Sequence, residues 1–281
     1  MGSLESTGET SLGFTKIEIA VESLRRSDIF HVVKEVLGFI LYMHQQIPTV
    51  LQHLEHEFDG LKKDYKQLEV SYSAQLESKE RKACRKTNMR KIEVKSAIKK
   101  LEKLINSIST LFSALQEAID GIPGFQGVTF LLGGSLARPQ HVYEIFFSHF
   151  KIISDSANLN AKSKVAENLS RKAVRALVSN GAGSSSFSGP TKLFLLIKSP
   201  CSFKSPLHFL PKRDFRYNRK VVPIKLHIKY KVGDQTVNCL HCNPDQTNPS
   251  SSADTAVNDM IWYQCRHIVR GLAVKSQETE F

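Results

Sequence analysis

The stretch FQGVTFLLGGSLARPQHVYEIFFS, residues Phe125–Ser148, decides the fold because it contains two apolar strand-like runs joined by a turn. The first run, residues 128–132, alternates valine, phenylalanine and leucine with Thr129 and Leu131, which is typical of a strand covered on both faces. Gly133-Gly134 ends this run, and Pro139 lies in the connection, where a missing N–H costs least. The sequence therefore predicts a hairpin at the centre of one sheet, with the rest of the chain packed onto it.

One motif inside this hairpin is also found in enzymes. Gly133-Gly134-Ser135-Leu136-Ala137 after an apolar strand resembles the nucleophile elbow of hydrolases, whose serine lies on a strand-to-helix turn. An elbow needs a helix at once, whereas Pro139 follows Ser135 closely and the strand pattern resumes. A glycine turn is therefore the preferred interpretation.

The net charge of the chain favours some classes of partner but does not distinguish among them. The 281 residues carry a formal net charge of +12, and the calculated pI is about 9.5. Such a balance favours nucleic acid, an acidic membrane or an acidic protein as partner. A surface that is merely solvated has the same composition, and it is the preferred alternative to specific nucleic-acid binding.

The cysteines and the lengths of the apolar runs indicate the redox compartment of the protein and whether it spans a membrane. Five cysteines without a signal-peptide-like start predict a reducing compartment. No apolar run approaches the ~18 residues of a membrane span, so we expect a soluble protein. Cys239, Cys242, Cys265 and His267 could supply zinc ligands, but their spacing is not that of standard sites, and we predict no metal.

The N-terminal part reads as a polar tail, a strand and a buried helix. We expect residues 1–15 to be disordered and residues 17–21 to form a short strand. Ser27-Asp28 predicts the N-cap of a helix that is apolar on more than one face and that Pro48 ends.

Two segments follow that differ in pattern. Residues 61–90 are basic with few apolar positions, and we interpret them as an insert, either a solvated helix or a long loop, or as a helix extension. After Lys91, apolar residues alternate gaps of four and three up to Ile119, which predicts the strongest helix, closed by Gly121. This repeat would suit a coiled coil, but a core helix on a sheet is the preferred interpretation.

The remaining chain predicts a third helix and further strands. Asp155 or Asn158 would cap the helix, and Asn180-Gly181 would end it before a flexible serine-glycine loop, residues 181–189. Strands follow at residues 191–198, 220–232 and 260–268; the second of these alternates apolar residues with Lys225, His227, Lys229 and Lys231, which predicts a basic exposed face.

Motifs of known chemistry are missing from the sequence. It contains no GxxxxGK[ST] loop, no GxGxxG after a strand and no HExxH, and it contains no helix-turn-helix, zinc-finger or RNP pattern. We therefore interpret the chain as a binding protein that is not an enzyme and uses no cofactor.

The order of the predicted elements resembles that of the HORMA fold. Specific similarity lies in FILYMHQQIP (39–48), VTFLLGGSLARPQHVYE (128–144), FLPKRDF (209–215) and DMIWYQ (259–264). Together these motifs resemble the comet family, HORMA-like proteins that bind the spindle-checkpoint protein Mad-two. The resemblance runs in order from about residue 28 to residue 272, and the LLGGS-to-YE and IWYQ stretches are its most specific parts.

This resemblance implies an α+β fold and an adaptor function. The expected fold has three main helices packed on a mostly antiparallel sheet, in a single HORMA-like domain of residues 16–281 with a safety-belt-like region at residues 207–281. Family members recognise the closed conformer of Mad-two, or act on meiotic chromosome-axis HORMA proteins, and present the client to the AAA+ ATPase Pch-two. The implied location is the nucleus, with the cytoplasm and kinetochores or chromosomes as further locations, and no membrane is implied.

The resemblance also implies site residues. The client-facing surface would use the third helix and the end of the first, represented here by Met43, His44, Arg171, Val174 and Arg175. Val174 stands where animal members carry a larger aromatic residue, and Met43 where they carry a glutamine. The ATPase contact would be Pro211-Lys212, which is otherwise interpreted as a strand-entry turn. Ile261, Trp262 and Tyr263 would form the chain's own strand that occupies the belt.

A second function class remains open from the residues alone. The charge run at residues 61–103 and the basic strand face would suit a nucleic-acid- or chromatin-binding module. Salt dependence separates the two, because electrostatic binding to DNA weakens steeply with salt and a packed protein interface does not.

Overall fold

An eight-stranded mixed sheet and four helices form the molecule. The computed structural model describes residues 15–21, 24–77, 81–148, 163–183, 189–218, 220–230 and 260–272. Its helices are α1 (Arg26–Met43), α2 (Leu54–Glu77), α3 (Arg81–Gly121) and α4 (Lys164–Ser179), with a short 3-10 helix at Leu51–His53. Its strands are β1 (Thr15–Val21), β2 (Gly127–Gly133), β3 (Pro139–Ser148), β4 (Lys192–Pro200), β5 (Phe209–Lys212), β6 (Ile224–Tyr230), β7 (Met260–Cys265) and β8 (Val269–Arg270).

The predicted hairpin lies in the middle of the sheet. Strand order is β1-β6-β3-β2-β4-β7-β5, and β8 also pairs with β4. Strand β6 is parallel to both β1 and β3, and the other pairings are antiparallel. The general α+β prediction with a mostly antiparallel sheet is therefore confirmed.

Strand β2 is buried at every residue because both faces of the sheet are covered at its centre. Helices α1, α3 and α4 cover the inner face, where the main apolar cluster lies. On the outer face, Leu131, Val142 and Leu196 form a second cluster against Phe215 and Tyr217 from the chain that precedes β6. This double cover explains why the strand is apolar at consecutive positions.

The ends of two predicted helices differ from the structure. Helix α1 begins at Arg26, and the Asp28 carboxylate accepts a hydrogen bond from the Arg25 N–H at 3.0 Å, so Asp28 lies in the first turn rather than at the N-cap. Helix α4 begins at Lys164 with Ser163 as its cap, so the predicted caps Asp155 and Asn158, which lie outside the described residues, were wrong. Helix α4 ends at the predicted Asn180-Gly181, with Gly181 at a φ of 72°.

Helix α2 was not predicted as a separate element, so the expectation of three main helices was wrong. The basic segment is helical, and α3 begins at Arg81, ten residues earlier than its apolar pattern indicated. Thr87 Oγ1 donates to Gln75 Oε1 at 2.8 Å, and Lys91 Nζ to Glu69 Oε1 at 3.0 Å, which makes α2 and α3 antiparallel. Each helix covers the other's sparse apolar positions, a tertiary contact that neither segment shows alone.

Several predicted segments lie outside the described residues: the tail except Thr15, residues 184–188 of the serine-glycine loop, and residues 231–259 and 273–281 of the C-terminal region. Cys239 and Cys242 belong to this group. Within the described part of the chain, no helix combines the length and the apolar character that a membrane crossing requires.

Candidate functional site

The outward face of α4 carries the predicted client-facing residues. Leu169, Ala173 and Leu177 turn inward and are buried. Arg171 and Arg175 are exposed, whereas Val174 between them is half-buried. The spacing of three and four residues produces these two faces, because residues so separated lie on one side of a helix.

Two exposed side chains on this surface were missed. Val178 is 56% exposed and follows Val174 by one turn, and Tyr42 at the end of α1 is 47% exposed. Arg171 forms an ion pair with Glu167 one turn earlier, at 2.5 Å. The α4 face therefore combines an apolar stripe with a charged border, the composition of a protein-binding surface rather than of a small-molecule site.

Met43 and His44 lie differently from each other. Met43 contacts Gly183, directly after α4, and it fills the space that a side chain at residue 183 would need. His44 turns toward the sheet: its Nε2 lies 2.6 Å from the Tyr143 hydroxyl, and its ring stacks on His141 with centroids 4.1 Å apart. The end of α1 thus joins the α4 face through Met43, while His44 is half-buried behind it.

The His44 environment keeps its imidazole neutral. Burial and, to a smaller extent, the neighbouring His141 lower the pKa of His44 to about 4. Burial also lowers the pKa of His141 and raises the pKa of the Tyr143 hydroxyl. A neutral imidazole has one donor and one acceptor nitrogen, so His44 Nε2 and the Tyr143 hydroxyl share a hydrogen bond whose direction follows the tautomer of His44. This cluster anchors the end of α1 to strand β3.

A buried glutamine beside this cluster was not singled out from the sequence. Gln46 is 3% exposed, and its Oε1 accepts from Thr191 N at 2.7 Å and Thr191 Oγ1 at 3.1 Å. Its Nε2 donates to the carbonyls of His44 and Gly189, and its own carbonyl accepts from Leu272 N. Gln46 therefore ties the end of α1 to the start of β4 and to the chain after β8.

The predicted ATPase contact lies at the opposite edge of the sheet. Pro211 and Lys212 are exposed and form the last two residues of β5, the edge strand that pairs with β7. The pair leaves a strand, so its interpretation as a strand-entry turn was wrong. Helix α4 packs near β1, at the other end of the strand order.

Strand β7 lies between β4 and β5, which explains its alternating burial. Ile261 and Tyr263 face the core at 6% and 4% exposure. Trp262 faces outward, half-buried, with Phe215 against its ring edge and the Lys198 ammonium 5.0 Å from its ring centroid. The prediction that all three are buried holds for Ile261 and Tyr263, and Trp262 packs as expected of a structural tryptophan.

A polar network joins α3 to the sheet near β5. Ser205 Oγ donates to Glu117 Oε1 at 2.5 Å, the other carboxylate oxygen of Glu117 lies 3.2 Å from His208 Nε2, and His208 Nδ1 lies 2.8 Å from His267 Nε2. Ser205 thus bonds to the carboxylate and not to an imidazole, so the pairing that activates a serine nucleophile is not formed by this serine. The network links the entry of β5 to the chain after β7.

The other chemical candidates lie in structural positions. Ser135 Oγ accepts from the Arg138 backbone N–H at 3.3 Å, as a turn residue does. Burial raises the pKa of the Cys265 thiol to about 11, which keeps it protonated. No group of three or more metal-ligating side chains occurs within the part of the chain that the structure describes.

The basic strand face is compensated by acidic partners. Lys225 Nζ lies 3.5 Å from Glu144 Oε2. Glu18 Oε1 lies between two lysines, 2.6 Å from Lys16 Nζ and 2.7 Å from Lys229 Nζ. These lysines hold the pKa of Glu18 down at about 2. The predicted basic residue types therefore lie on this face of β6, where Lys225 and Lys229 are half-buried beside acidic partners, while Lys231 lies outside the described residues.

Comparison with known proteins adds no family to these observations. Neither the protein-family models nor the curated protein sequences include a match to the chain.

Proposed function

We propose that the chain is a non-enzymatic adaptor of the HORMA-like comet type, which binds a client HORMA protein in its closed conformer and presents it to a AAA+ ATPase. The client would be Mad-two or a meiotic chromosome-axis HORMA protein, and the ATPase would be Pch-two. The adaptor would need no cofactor and no membrane, and it would act in the nucleus, at kinetochores or chromosomes, or in the cytoplasm.

One observation carries this proposal: the two predicted contact surfaces lie at opposite edges of one sheet. The α4 face packs near β1, whereas Pro211-Lys212 belongs to β5. An adaptor must hold client and motor at the same time, which requires two surfaces that do not overlap. The order of elements around the central hairpin supports the HORMA-like assignment in the same way.

The position of β7 supports a second part of the proposal. A strand near the C-terminus fills the place between β4 and β5, with Ile261 and Tyr263 buried in the core. The adaptor would therefore be held in a closed form by its own chain. We expect it to need no separate closure peptide.

The client interface would draw its affinity from the apolar stripe and its orientation from the border charges. Burying Val174 and Val178 against a partner removes apolar surface from water, and Arg171 and Arg175 would steer an acidic counterpart. Discrimination between client conformers then requires only that this surface fit the closed form better than the open one. The energy for remodelling would come from ATP hydrolysis on the motor.

The first test is size-exclusion chromatography at physiological salt. We expect the chain to co-elute with closed Mad-two and not with open Mad-two, and to form a ternary assembly when the ATPase is added. Co-elution with neither form, and with no meiotic HORMA client, would reject the adaptor function.

Variants locate the client surface. Val174→Glu places a charge in the apolar stripe and should abolish co-elution, whereas the matched Val70→Glu, at a position on α2 that is 72% exposed, should not. Because Val174 is half-buried, the double variant Arg171→Glu/Arg175→Glu at exposed positions serves as a second probe. Retained client binding by both α4 variants would reject the α4 surface.

The motor contact is tested separately. Pro211→Ala/Lys212→Ala should leave client co-elution unchanged and stop ATPase-driven conversion of the client. Lys204→Ala, at another exposed basic position, is the control. Normal conversion by the double variant would place the ATPase contact elsewhere.

A further inference from the structure

Most of the net positive charge of the chain lies on one projecting element. We call residues 62–100, from α2 and the first half of α3, the helical arm. It carries thirteen lysines and arginines against five acidic residues, so it contributes eight of the twelve net positive charges. No described residue of the arm is fully buried, whereas Leu54 before it and Leu101 after it belong to the core. The arm therefore extends away from the sheet.

The arm half-buries some of its apolar residues between its two helices and carries most of its charges outward, while Val70, Leu76, Met89 and Ile92 stay exposed. Tyr65, Leu68 and Tyr72 of α2 and Val94 and Ile98 of α3 are half-buried in the seam between the helices. Lys62, Arg85 and Arg90 are among the many exposed basic residues. Within the described part of the arm, Lys91 is the one basic residue in an ion pair, with Glu69. The remaining cations are left for an external partner.

The sheet face offers no comparable surface. Its lysines are matched by Glu18 and Glu144 at 2.6–3.5 Å. The two basic regions that look alike in sequence thus differ in available charge. Among the described residues, the arm carries many exposed cations that form no ion pair, spread along the length of two helices.

We infer that the helical arm binds duplex nucleic acid through its phosphate backbone, without sequence preference. About seventeen residues of a helix span roughly 25 Å, and a duplex displays one phosphate charge for about every 1.7 Å of its axis. The exposed cations are distributed along the helical arm as the phosphate anions are distributed along the duplex, so the two sets of charges can lie side by side. This binding is independent of the adaptor function, because it uses neither the α4 face nor β5.

Other polyanions fit the arm less well. Single strands bind by stacking bases on exposed aromatic rings, whereas Tyr65 and Tyr72 lie in the seam, each with its ring centroid 5.5 Å from the Lys91 ammonium. Membrane surfaces need a continuous apolar helix face, whereas the exposed apolar residues of the arm, Val70, Leu76, Met89 and Ile92, alternate with exposed charged residues along α2 and α3.

The test measures fluorescence anisotropy of a labelled 30-base-pair duplex of mixed sequence, with the full chain, between about 50 and about 200 mM NaCl. The arm variant is Lys82→Gln/Arg85→Gln/Lys86→Gln/Arg90→Gln, four exposed positions on α3. We expect at least a tenfold loss of affinity at 100 mM salt. We also expect the slope of log K against log salt to become shallower by about 2 to 4, at ~0.9 for each lost phosphate contact.

A matched variant removes the same charge from the body of the protein. Lys204→Gln/Arg213→Gln/Arg216→Gln/Lys220→Gln changes four exposed positions and should reduce affinity less than threefold. Circular dichroism checks that both variants keep their helix content. Equal losses for the two variants would show a general charge effect and overturn the inference, as would no binding by the unmodified chain.

Competing polyanions complete the test. An unrelated duplex of the same length should bind equally, and a thirty-nucleotide single strand, poly-glutamate and vesicles with anionic lipid should each bind at least fivefold more weakly. A single strand, peptide or vesicle that binds as tightly as the duplex would overturn the assignment to duplex nucleic acid.

Discussion

The apolar repeat of α3, from Val94 to Ile119, continues through two parts of the helix that have different surroundings. From Leu101 to Ile119 the helix lies on the sheet, and Leu111, Leu115 and Ile119 are each 0% exposed. From residue 81 to residue 100 the same helix belongs to the arm, where the seam residues are only half-buried against α2. The repeat determines which face of the helix is apolar. The partner of that face determines how much surface is removed from water.

Because of this difference, the same side-chain truncation should lower the free energy of unfolding more in the body than in the arm. Apolar burial stabilises by about 25 cal/mol for each Å² removed from water. The core of the body, where α3 packs against the sheet, therefore contributes much more to stability than the seam between α2 and α3. Isolated helix pairs are marginal, and the arm depends on α3 being anchored in the body. The predictions below test this contrast.

The largest expected effect compares two isoleucines of α3. Ile119→Ala removes a fully buried side chain and should lower the free energy of unfolding by about 2–5 kcal/mol. Ile98→Ala removes a half-buried side chain of the seam and should cost less than about 1.5 kcal/mol. Urea denaturation followed at 222 nm measures both. Equal losses would mean that the arm is as well packed as the body.

The second effect concerns Gln46. Gln46→Ala leaves the Thr191 N–H and the His44 and Gly189 carbonyls without their partner, which should cost about 2–3 kcal/mol. Gln52→Ala is the control, because Gln52 is exposed and its Nε2 donates to Glu35 on the surface of the molecule. A loss for Gln46→Ala no greater than that for Gln52→Ala would show that water replaces these hydrogen bonds.

The third effect is a dependence on pH that belongs to the body, since the arm contains no histidine. The pKa of His44 is lowered to about 4 by burial, from an ordinary value near 6.5. The unfolded state therefore binds more protons between these values, so stability is full above about pH 6.5 and is lost as the pH falls toward 4. We expect a loss of at most about 2 kcal/mol from this group, because it is partly exposed.

Unfolding by urea at pH 7.5 and at pH 5 measures this effect. His44→Gln keeps an acceptor for the Tyr143 hydroxyl but cannot be protonated, so its stability should fall less between these two pH values. Glu18, whose pKa is lowered to about 2, would lose its contribution only at lower pH. An unchanged pH dependence in His44→Gln would assign the loss to other groups.

The smallest effect on the body should come from removing the arm. A four-residue glycine-serine linker between Leu61 and Leu101 is suitable. The hydrogen bonds from Thr87 to Gln75 and from Lys91 to Glu69 set an antiparallel register that places Leu61 opposite Leu101. The midpoint of thermal unfolding should shift by less than about 5 °C, with a lower helix signal at 222 nm. Failure of the shortened chain to fold would show that the arm stabilises the body.

Much of the fold was predictable because its signals are local. The glycines after residue 132 and the apolar runs on either side of them define the central hairpin, and the alternation in β6 defines a strand. The helical end at Asn180-Gly181 follows from the conformational freedom of glycine at positive φ. The cap of α4 was missed because the aspartate and asparagine before it look equally suitable, and only the observed start of the helix selects Ser163.

The candidate surfaces were predictable only in part. The outward face of α4 follows from helical spacing, which groups Arg171, Val174 and Arg175. The inward turn of His44 toward Tyr143 and the hydrogen bonds of Gln46 could not be predicted, because their partners are about a hundred residues away or more in the chain. Gln46 follows Gln45 and precedes Ile47 and Pro48, a local sequence that gives no signal of burial.

The sequence by itself determined the residue types, the apolar faces and the charge of each segment, because these follow from side-chain chemistry and from the periods of helix and strand. The tertiary structure alone decided which charges are free. Lysines of β6 lie beside Glu18 and Glu144 because parallel pairing places β6 between β1 and β3, whereas the lysines of the arm lie where the chain extends away from the sheet. Charge compensation depends on distances between segments remote in sequence, and only folding sets those distances.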